Sequence, residues 1–196
     1  MSWSTYVALG DSLTAGKGDE GADGRPVGWA QRLADILSVR TAVRCRLINL
    51  AVNGATVHQV RGKQLPAVTA TRPDLVSVTV GMNDVRARGF DELSFKADLT
   101  QLFEALAATQ ATLLTCTLPD ITTVLPLSPD LAEVVRERLR LASDIIREQA
   151  KSFGAACLDV WSLPVDPGLY AADRIHPNRS GHQLFAAACA DMLAPR

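Results

Sequence analysis

The chain has 196 residues, of which 47% are hydrophobic and 21% charged, enough for one globular domain that buries roughly 70% of its unfolded surface. This composition excludes disordered and fibrous proteins. The 20 basic and 21 acidic residues leave a net charge of -1, which provides no overall field for holding nucleic acid.

Short apolar runs rich in β-branched residues alternate with longer segments whose apolar residues recur about every 3.6 positions. The runs predict five strands, at residues 6–9, 44–50, 75–80, 111–115 and 155–160. Apolar stripes that begin at Trp29, Phe95 and Leu131 predict helices between them, and a last helix is predicted at about 180–193. Ser128 and Pro129 open the third helix and Gly154 closes it.

Alternating strands and helices, with several strands apolar on both faces, predict an α/β fold. A parallel sheet lies between two layers of helices in such a three-layer α/β/α architecture. No repeat, low-complexity tract or long linker divides the sequence, so residues 1–196 are predicted to form a single domain. Ligands of such domains bind at the carboxyl ends of the strands.

Polar segments follow three of the predicted strands, and a fourth precedes the last helix. They are residues 10–13 (Gly-Asp-Ser-Leu), 49–54 (Asn-Leu-Ala-Val-Asn-Gly), 81–84 (Gly-Met-Asn-Asp) and 173–177 (Asp-Arg-Ile-His-Pro). Because parallel strands deliver their carboxyl ends to one edge of the sheet, these segments are expected to meet there.

Together these segments contain the groups needed for nucleophilic acyl transfer. The hydroxyl of Ser12 needs a base, which His176 can provide, and Asp173 can orient that histidine. The oxyanion of a tetrahedral intermediate needs hydrogen-bond donors. The backbone N–H groups of Ser12 and Gly54 and the side-chain amide of Asn83 can supply them.

In order and placement, the four segments resemble the four blocks of the SGNH hydrolases, also called GDSL esterases and lipases. The resemblance spans residues 7–182 and implies a flavodoxin-like sheet of five parallel strands. It also implies Ser12 as nucleophile, His176 as base, Asp173 as its orienting partner, and Ser12, Gly54 and Asn83 as oxyanion donors. The implied reaction is hydrolysis of ester or thioester bonds without a cofactor. One departure is Ala51, which replaces the first glycine of the second block.

Metal and nucleotide sites are not expected. The four cysteines and three histidines lack the spacing of a zinc site, and the cysteines are predicted to be small buried thiols. Residues 16–21 spell Gly-x-Gly-x-x-Gly but do not directly follow a strand, and their acidic residues would repel a pyrophosphate. We expect a mobile loop beside the nucleophile there.

No membrane span is expected, because no apolar run approaches the roughly 18 residues that a span needs. The first basic residue is Lys17, so the sequence as given has no basic leader region. A cytoplasmic location is therefore predicted, unless a signal peptide has been removed. Oligomeric state is left open.

Several other polar residues receive structural interpretations. His182 is expected to be structural, His58 to face solvent, and Asp84 to orient the loop that holds Asn83. Solvated positions are expected for the arginines at 86, 88, 136, 138 and 140.

These observations predict a serine esterase that hydrolyses a small acyl ester through an acyl-enzyme on Ser12. The alternatives are an acyltransferase with the same triad and a catalytically silent ligand-binding module. The length leaves little room for a large lid, so an open site favouring small esters is expected. The substrate pockets are predicted to involve Val52, Met82, Val85, Leu118, Ile121 and residues 162–170.

Overall fold

The computed structural model describes residues 3–194. Within that range, five strands form one parallel sheet in the order β2-β1-β3-β4-β5. They are β1 (Thr5–Gly10), β2 (Arg46–Asn49), β3 (Leu75–Thr79), β4 (Thr112–Cys116) and β5 (Ala156–Leu158). All five predicted strands are therefore confirmed, and so is the flavodoxin-like order.

Helices connect the strands. They are α1 (Ser12–Ala15), α2 (Gly28–Thr41), α3 (Val57–Gln59), α4 (Leu65–Val68), α5 (Met82–Arg86), α6 (Glu92–Ala107), α7 (Pro129–Ser152) and α8 (Arg179–Met192). A π-helical stretch, Val60–Gln64, joins α3 to α4, and 3₁₀ turns occupy Ile121–Thr123 and Pro167–Leu169. Helix α7 begins at Pro129 and ends just before Gly154, which has a φ of 66°, as the proline and glycine in the sequence predict.

Two hydrophobic cores cover the two faces of the sheet. Tyr6 and Ala8 of β1 pack in one core with helices α2 and α8, whereas Val7 and Leu9 pack in the other with α6 and α7. This alternation places successive residues of a strand on opposite faces, both buried, and confirms the three-layer α/β/α prediction. The four cysteines are free thiols, three of them buried. None of the helices within residues 3–194 is both long and apolar enough to cross a bilayer.

The glycine-rich loop after α1 is anchored, although the sequence suggested a mobile loop. The buried carboxylate of Asp19 accepts hydrogen bonds from Arg32 at 2.6 and 2.8 Å and from Nε of Arg179 at 3.3 Å. A buried carboxylate is costly unless it is paired, so these arginines fix the loop between α2 and α8.

The same loop supports the segment that carries His176. His182 is fully buried; its Nδ1 accepts from the backbone N–H of Trp29 at 3.1 Å, and its Nε2 donates to the carbonyl of Lys17 at 3.0 Å. Burial lowers the pKa of His182 and so favours this neutral form. A Cβ at Gly18 would lie 2.2 Å from the carbonyl oxygen of Pro177, so only glycine allows this close approach.

Candidate active site

The turn after β1 places Ser12 at the carboxyl edge of the sheet. Gly10 has a φ of 142°, and a Cβ there would lie 2.2 Å from the carbonyl oxygen of Thr79 on β3. Asp11 then caps α1, its Oδ1 accepting from the backbone N–H of Leu13 at 3.0 Å. Glycine and cap together end the strand and begin a helix at Ser12, so the hydroxyl of Ser12 lies at the edge where ligands bind.

A continuous line of hydrogen bonds connects the three predicted catalytic residues. Nε2 of His176 lies 2.7 Å from Oγ of Ser12, and Nδ1 of His176 lies 2.6 Å from Oδ2 of Asp173. The structure therefore brings together residues that are 164 positions apart in the chain. If Nδ1 carries the ring proton and donates to Asp173, Nε2 is left to accept the proton of Ser12.

The local chain geometry holds Asp173 in place. Its Oδ1 accepts from the backbone N–H groups of Ile175 and His176, each at 3.0 Å. Burial alone would raise the pKa of Asp173, but these bonds and the bond from the His176 side chain hold it at about 2. The carboxylate is therefore ionised at neutral pH and complements a developing imidazolium.

Asn83 lies next to the nucleophile turn, and its side-chain Nδ2 has two acceptors within reach. These are Oδ2 of Asp11 at 3.1 Å and the carbonyl oxygen of Ala55 at 3.0 Å. The carboxylate of Asp84, the next residue, accepts from the backbone N–H of Val57 at 3.2 Å. The loop after β3 is thus attached both to the nucleophile turn and to the loop after β2.

Gly54 lies in an exposed turn with a φ of 78°. The backbone N–H of Val52 donates to the carbonyl of Gly10 at 3.2 Å, and the side chain of Asn49 donates to the carbonyl of Thr14 at 2.7 Å. Oδ1 of Asn49 also accepts from the N–H of Ala51 at 3.1 Å, so the residue in place of the family glycine takes part in an ordinary turn. These bonds hold the turn of Gly54 against the turn of Ser12.

Gln64 is a site-supporting residue that the sequence analysis missed. Its side chain is buried, accepts from the N–H of Gly10 at 2.9 Å and donates to the carbonyl of Gly10 at 2.8 Å. Gln64 shares the buried face of its helical segment with Val60 and Val68, and a glutamine on an otherwise apolar face was the available signal.

Replacing Gln64 with methionine is expected to destabilise the fold by about 1–3 kcal/mol, because the N–H of Gly10 is then buried without a partner. The free energy of urea-induced unfolding measures this change. Gln31→Met is the matched control, since Gln31 is exposed on α2 and hydrogen-bonds only along its own helix surface. Equal effects of the two substitutions would show that the paired bonds to Gly10 add nothing.

A second prediction concerns Asp11, whose pKa burial raises to about 6. An aspartate of the unfolded chain titrates near pH 4, so the contribution of Asp11 to stability is complete below pH 4 and is lost as pH rises through about 6. The two pKa values differ by the equivalent of roughly 3 kcal/mol. Asp11→Asn should therefore gain about 1–3 kcal/mol over the natural chain between pH 4 and pH 7.5.

The measurement is the unfolding free energy of both proteins across that pH range. Asp84, whose pKa burial likewise raises to about 6, also raises the pKa of Asp11 through its charge, so part of the difference comes from the interaction of these two carboxyl groups. A difference that stays constant with pH would contradict the assignment of this titration to Asp11.

Two other charged residues, His58 and Arg138, differ in how they compare with the sequence predictions. His58 is 72% exposed and pairs with Asp98, in keeping with a solvent-facing position. Arg138, expected on a solvated face, instead donates to the carbonyls of Val85 and Ala87 at 3.2 and 3.0 Å. That expectation is wrong for Arg138 because α7 passes beside the end of α5, whose carbonyl groups need donors.

A cavity of about 220 Å³ adjoins the catalytic residues, and Asp11, Ser12 and His176 form part of its wall. Met82, Leu118 and residues 163–166, 169 and 170 line it, as the predicted pocket positions suggested. Val85 and Ile121 are instead buried in the core, and Val52 is 58% exposed outside the cavity lining. Residues of the connection between β5 and α8 form part of the wall of this cavity.

The fold and the arrangement of polar groups define an esterase of the SGNH type. A model of the GDSL-like lipase/acylhydrolase family matches residues 8–184, and the chain belongs to this family. It is therefore an ester-hydrolysing enzyme.

Individual relatives agree with this assignment. An acetylxylan esterase from Geobacillus stearothermophilus is 26% identical in an alignment of 206 positions that covers 95% of this chain and 92% of that protein. The structure of LAE5, an alpha/beta hydrolase enzyme from the metagenome of Lake Arreo, Spain, is 26% identical. The structural match covers 99% of this chain and 98% of the LAE5 chain, with a TM-score of 0.77. The acetylxylan esterase Axe2 from Geobacillus stearothermophilus shares the fold at 21% identity, a TM-score of 0.79, and coverage of 100% and 96%.

Proposed function

We propose that the protein hydrolyses carboxylic esters through a covalent acyl-enzyme on Ser12. Oγ of Ser12 bonds to the ester carbonyl carbon while His176 takes the hydroxyl proton. The tetrahedral intermediate then collapses, the bond to the alcohol oxygen breaks, and His176 gives the proton to that alcohol. Water, deprotonated by His176, attacks the acyl carbon, the bond to Oγ of Ser12 breaks, and His176 returns the proton to that oxygen as the carboxylic acid leaves.

The observation that carries this proposal is the line from Asp173 through His176 to Ser12, with its two distances of 2.6 and 2.7 Å. Both distances are within the range of productive hydrogen bonds already in the unliganded enzyme. His176 is 8% exposed, whereas the side chain of Asp173 is 40% exposed, so the carboxylate of this pair remains in contact with solvent.

The oxyanion is proposed to bind to the backbone N–H groups of Ser12 and Gly54 and to the amide of Asn83. The two hydrogens of Nδ2 of Asn83 are donated to Asp11 and Ala55, which fixes the plane of the amide, and the proposed bond to the oxyanion replaces one of these two bonds.

Asn83→Ala is expected to lower kcat about 10²–10³-fold with a smaller change in KM, because the proposed bond strengthens as the oxyanion forms. Steady-state hydrolysis of p-nitrophenyl butyrate separates the two parameters. A rise in KM at constant kcat would mean that Asn83 only binds substrate.

Pre-steady-state kinetics test the acyl-enzyme itself. Mixing enzyme with excess p-nitrophenyl ester should release a burst of p-nitrophenol close to one equivalent whenever deacylation limits turnover. If acylation is slower than deacylation, no burst appears. Added methanol would still compete with water for an acyl-enzyme and give the methyl ester as a second product. Absence of both signals in an active enzyme would favour direct attack by water.

The partition experiment also addresses the acyltransferase alternative. A preference for an added alcohol far above its molar ratio to water would favour transfer over hydrolysis. The relatives' names suggest acetyl groups on xylan as one substrate class, and an acyl thioester is the remaining alternative from the sequence. Both can be assayed beside the p-nitrophenyl series.

A further inference from the structure

The cavity beside the catalytic residues has an apolar interior. Its wall combines side chains from the end of β4, from β5 and its connection to α8, and from α8 itself. Representative residues are Leu118, Leu158, Val160, Val165, Leu169 and Phe185. Alkyl groups gain free energy on entering such a space, because they leave water and give up no hydrogen bonds.

Most polar side chains in the wall are paired with protein groups; within residues 3–194 the hydroxyl of Tyr170 is an exception. Oγ1 of Thr117 donates to Asp159 at 3.0 Å and accepts from the N–H of Trp161 at 2.9 Å. Asp166 accepts from the N–H of Gly168 at 2.8 Å. A sugar placed in this cavity would lose its hydrogen bonds to water and recover few of them, so the cavity is unsuited to the sugar part of an acetylated saccharide.

Residues 163–170 contribute to one wall of the cavity, and the end of this segment is held in place by hydrogen bonds. The side chain of Asn178 donates to the carbonyls of Gly168 at 2.8 Å and Tyr170 at 3.2 Å, and its backbone N–H donates to the carbonyl of Leu169 at 2.8 Å. The N–H of Ala171 donates to the carbonyl of His176 at 2.8 Å. These bonds attach this wall segment to the start of α8, so the cavity is formed before a ligand binds.

We infer that this cavity holds the acyl chain of the substrate and that the enzyme prefers unbranched acyl groups of about six to nine carbons over acetyl. The inference rests on the proposed acyl-enzyme, since it needs the acyl carbon to be bonded to Ser12, which forms part of the cavity wall. A cavity of about 150 Å³ accommodates benzene with its six carbons. At a similar density, 220 Å³ holds about nine carbons, whereas an acetyl group would leave most of it empty.

The rate data should show this preference as a dependence on chain length. Burial of one methylene group raises a binding constant about fourfold. The gain from several methylene groups therefore exceeds the conformational entropy that is lost when the chain is ordered. In a series of p-nitrophenyl esters from acetate to dodecanoate, kcat/KM should be greatest near hexanoate or octanoate. We expect that maximum to exceed the acetate value at least about tenfold.

A pair of substitutions on α8 locates the effect. Ala188 lines the cavity, whereas Ala187 is similarly half-buried but lies outside the lining. Ala188→Leu should fill part of the cavity, lower kcat/KM for octanoate at least about fivefold, change the acetate value less than about twofold, and move the optimum to shorter chains. Ala187→Leu should keep the natural chain-length profile.

The outcomes separate this inference from the proposed function. Efficient hydrolysis with acetate as the best ester, or an equal loss for acetate and octanoate in Ala188→Leu, would overturn the acyl pocket and leave the serine mechanism intact. Absence of hydrolysis of every ester would instead count against the proposed function. The profile of the unsubstituted enzyme needs no variant, so the inference remains testable if Ala188→Leu fails to fold.

Discussion

Replacing Ser12 with alanine is expected to lower kcat for p-nitrophenyl butyrate by about 10⁴–10⁶-fold while the thermal unfolding midpoint changes little. The hydroxyl is the only group removed, and its hydrogen bond to His176 contributes about 1 kcal/mol to folding. No attacking oxygen remains at the position 2.7 Å from Nε2 of His176. Residual turnover would come from water and the remaining binding groups.

The control for this experiment is Ser152→Ala, at the exposed end of α7. It should retain the activity of the natural chain. Undiminished hydrolysis by Ser12→Ala, with the protein folded, would remove Ser12 from the mechanism.

Asp173→Asn is expected to lower kcat by about 10³–10⁴-fold. An asparagine can keep its oxygen toward the N–H groups of Ile175 and His176, which places its NH₂ group toward Nδ1 of His176. Nδ1 must then accept, so the ring proton moves to Nε2, which can no longer take the proton of Ser12. The loss should therefore appear in kcat, with the fold preserved.

The exposed carboxylate of Asp23 provides the control, and Asp23→Asn should behave as the natural chain. Circular dichroism and the unfolding midpoint check that Asp173→Asn is folded. A loss of less than about tenfold in the folded variant would show that another group orients His176.

The sequence predicts the sheet well because its central strands are buried on both faces. The segment at β1 is apolar from Tyr6 to Leu9, β3 is buried throughout although it contains Ser77 and Thr79, and the ends of α7 carry proline and glycine, whose backbone preferences are strong. The candidate site follows from the same pattern, since the strand ends meet at one edge. Ser12 lies at the end of β1, and the segment before α8 brings His176 to the same edge despite their distance in the chain.

Other features depend on packing that no local pattern specifies. The apolar face that carries Gln64 indicates that it is buried, but its partner Gly10 lies 54 positions away in the chain, and no local pattern identifies that contact. The cavity depends on the path of the connection from β5 to α8, which has almost no periodic structure. The chain length leaves little room for a large lid, and this connection instead supplies part of the cavity wall.

The acyl-enzyme on Ser12 is tested most directly by labelling the natural enzyme with a fluorophosphonate, followed by intact mass measurement and peptide mapping. A single phosphonyl adduct on Ser12 is predicted, with loss of esterase activity in proportion to labelling and no adduct in Ser12→Ala. Stoichiometric labelling at another residue with parallel loss of activity, or full esterase activity in the Ser12-labelled protein, would contradict it.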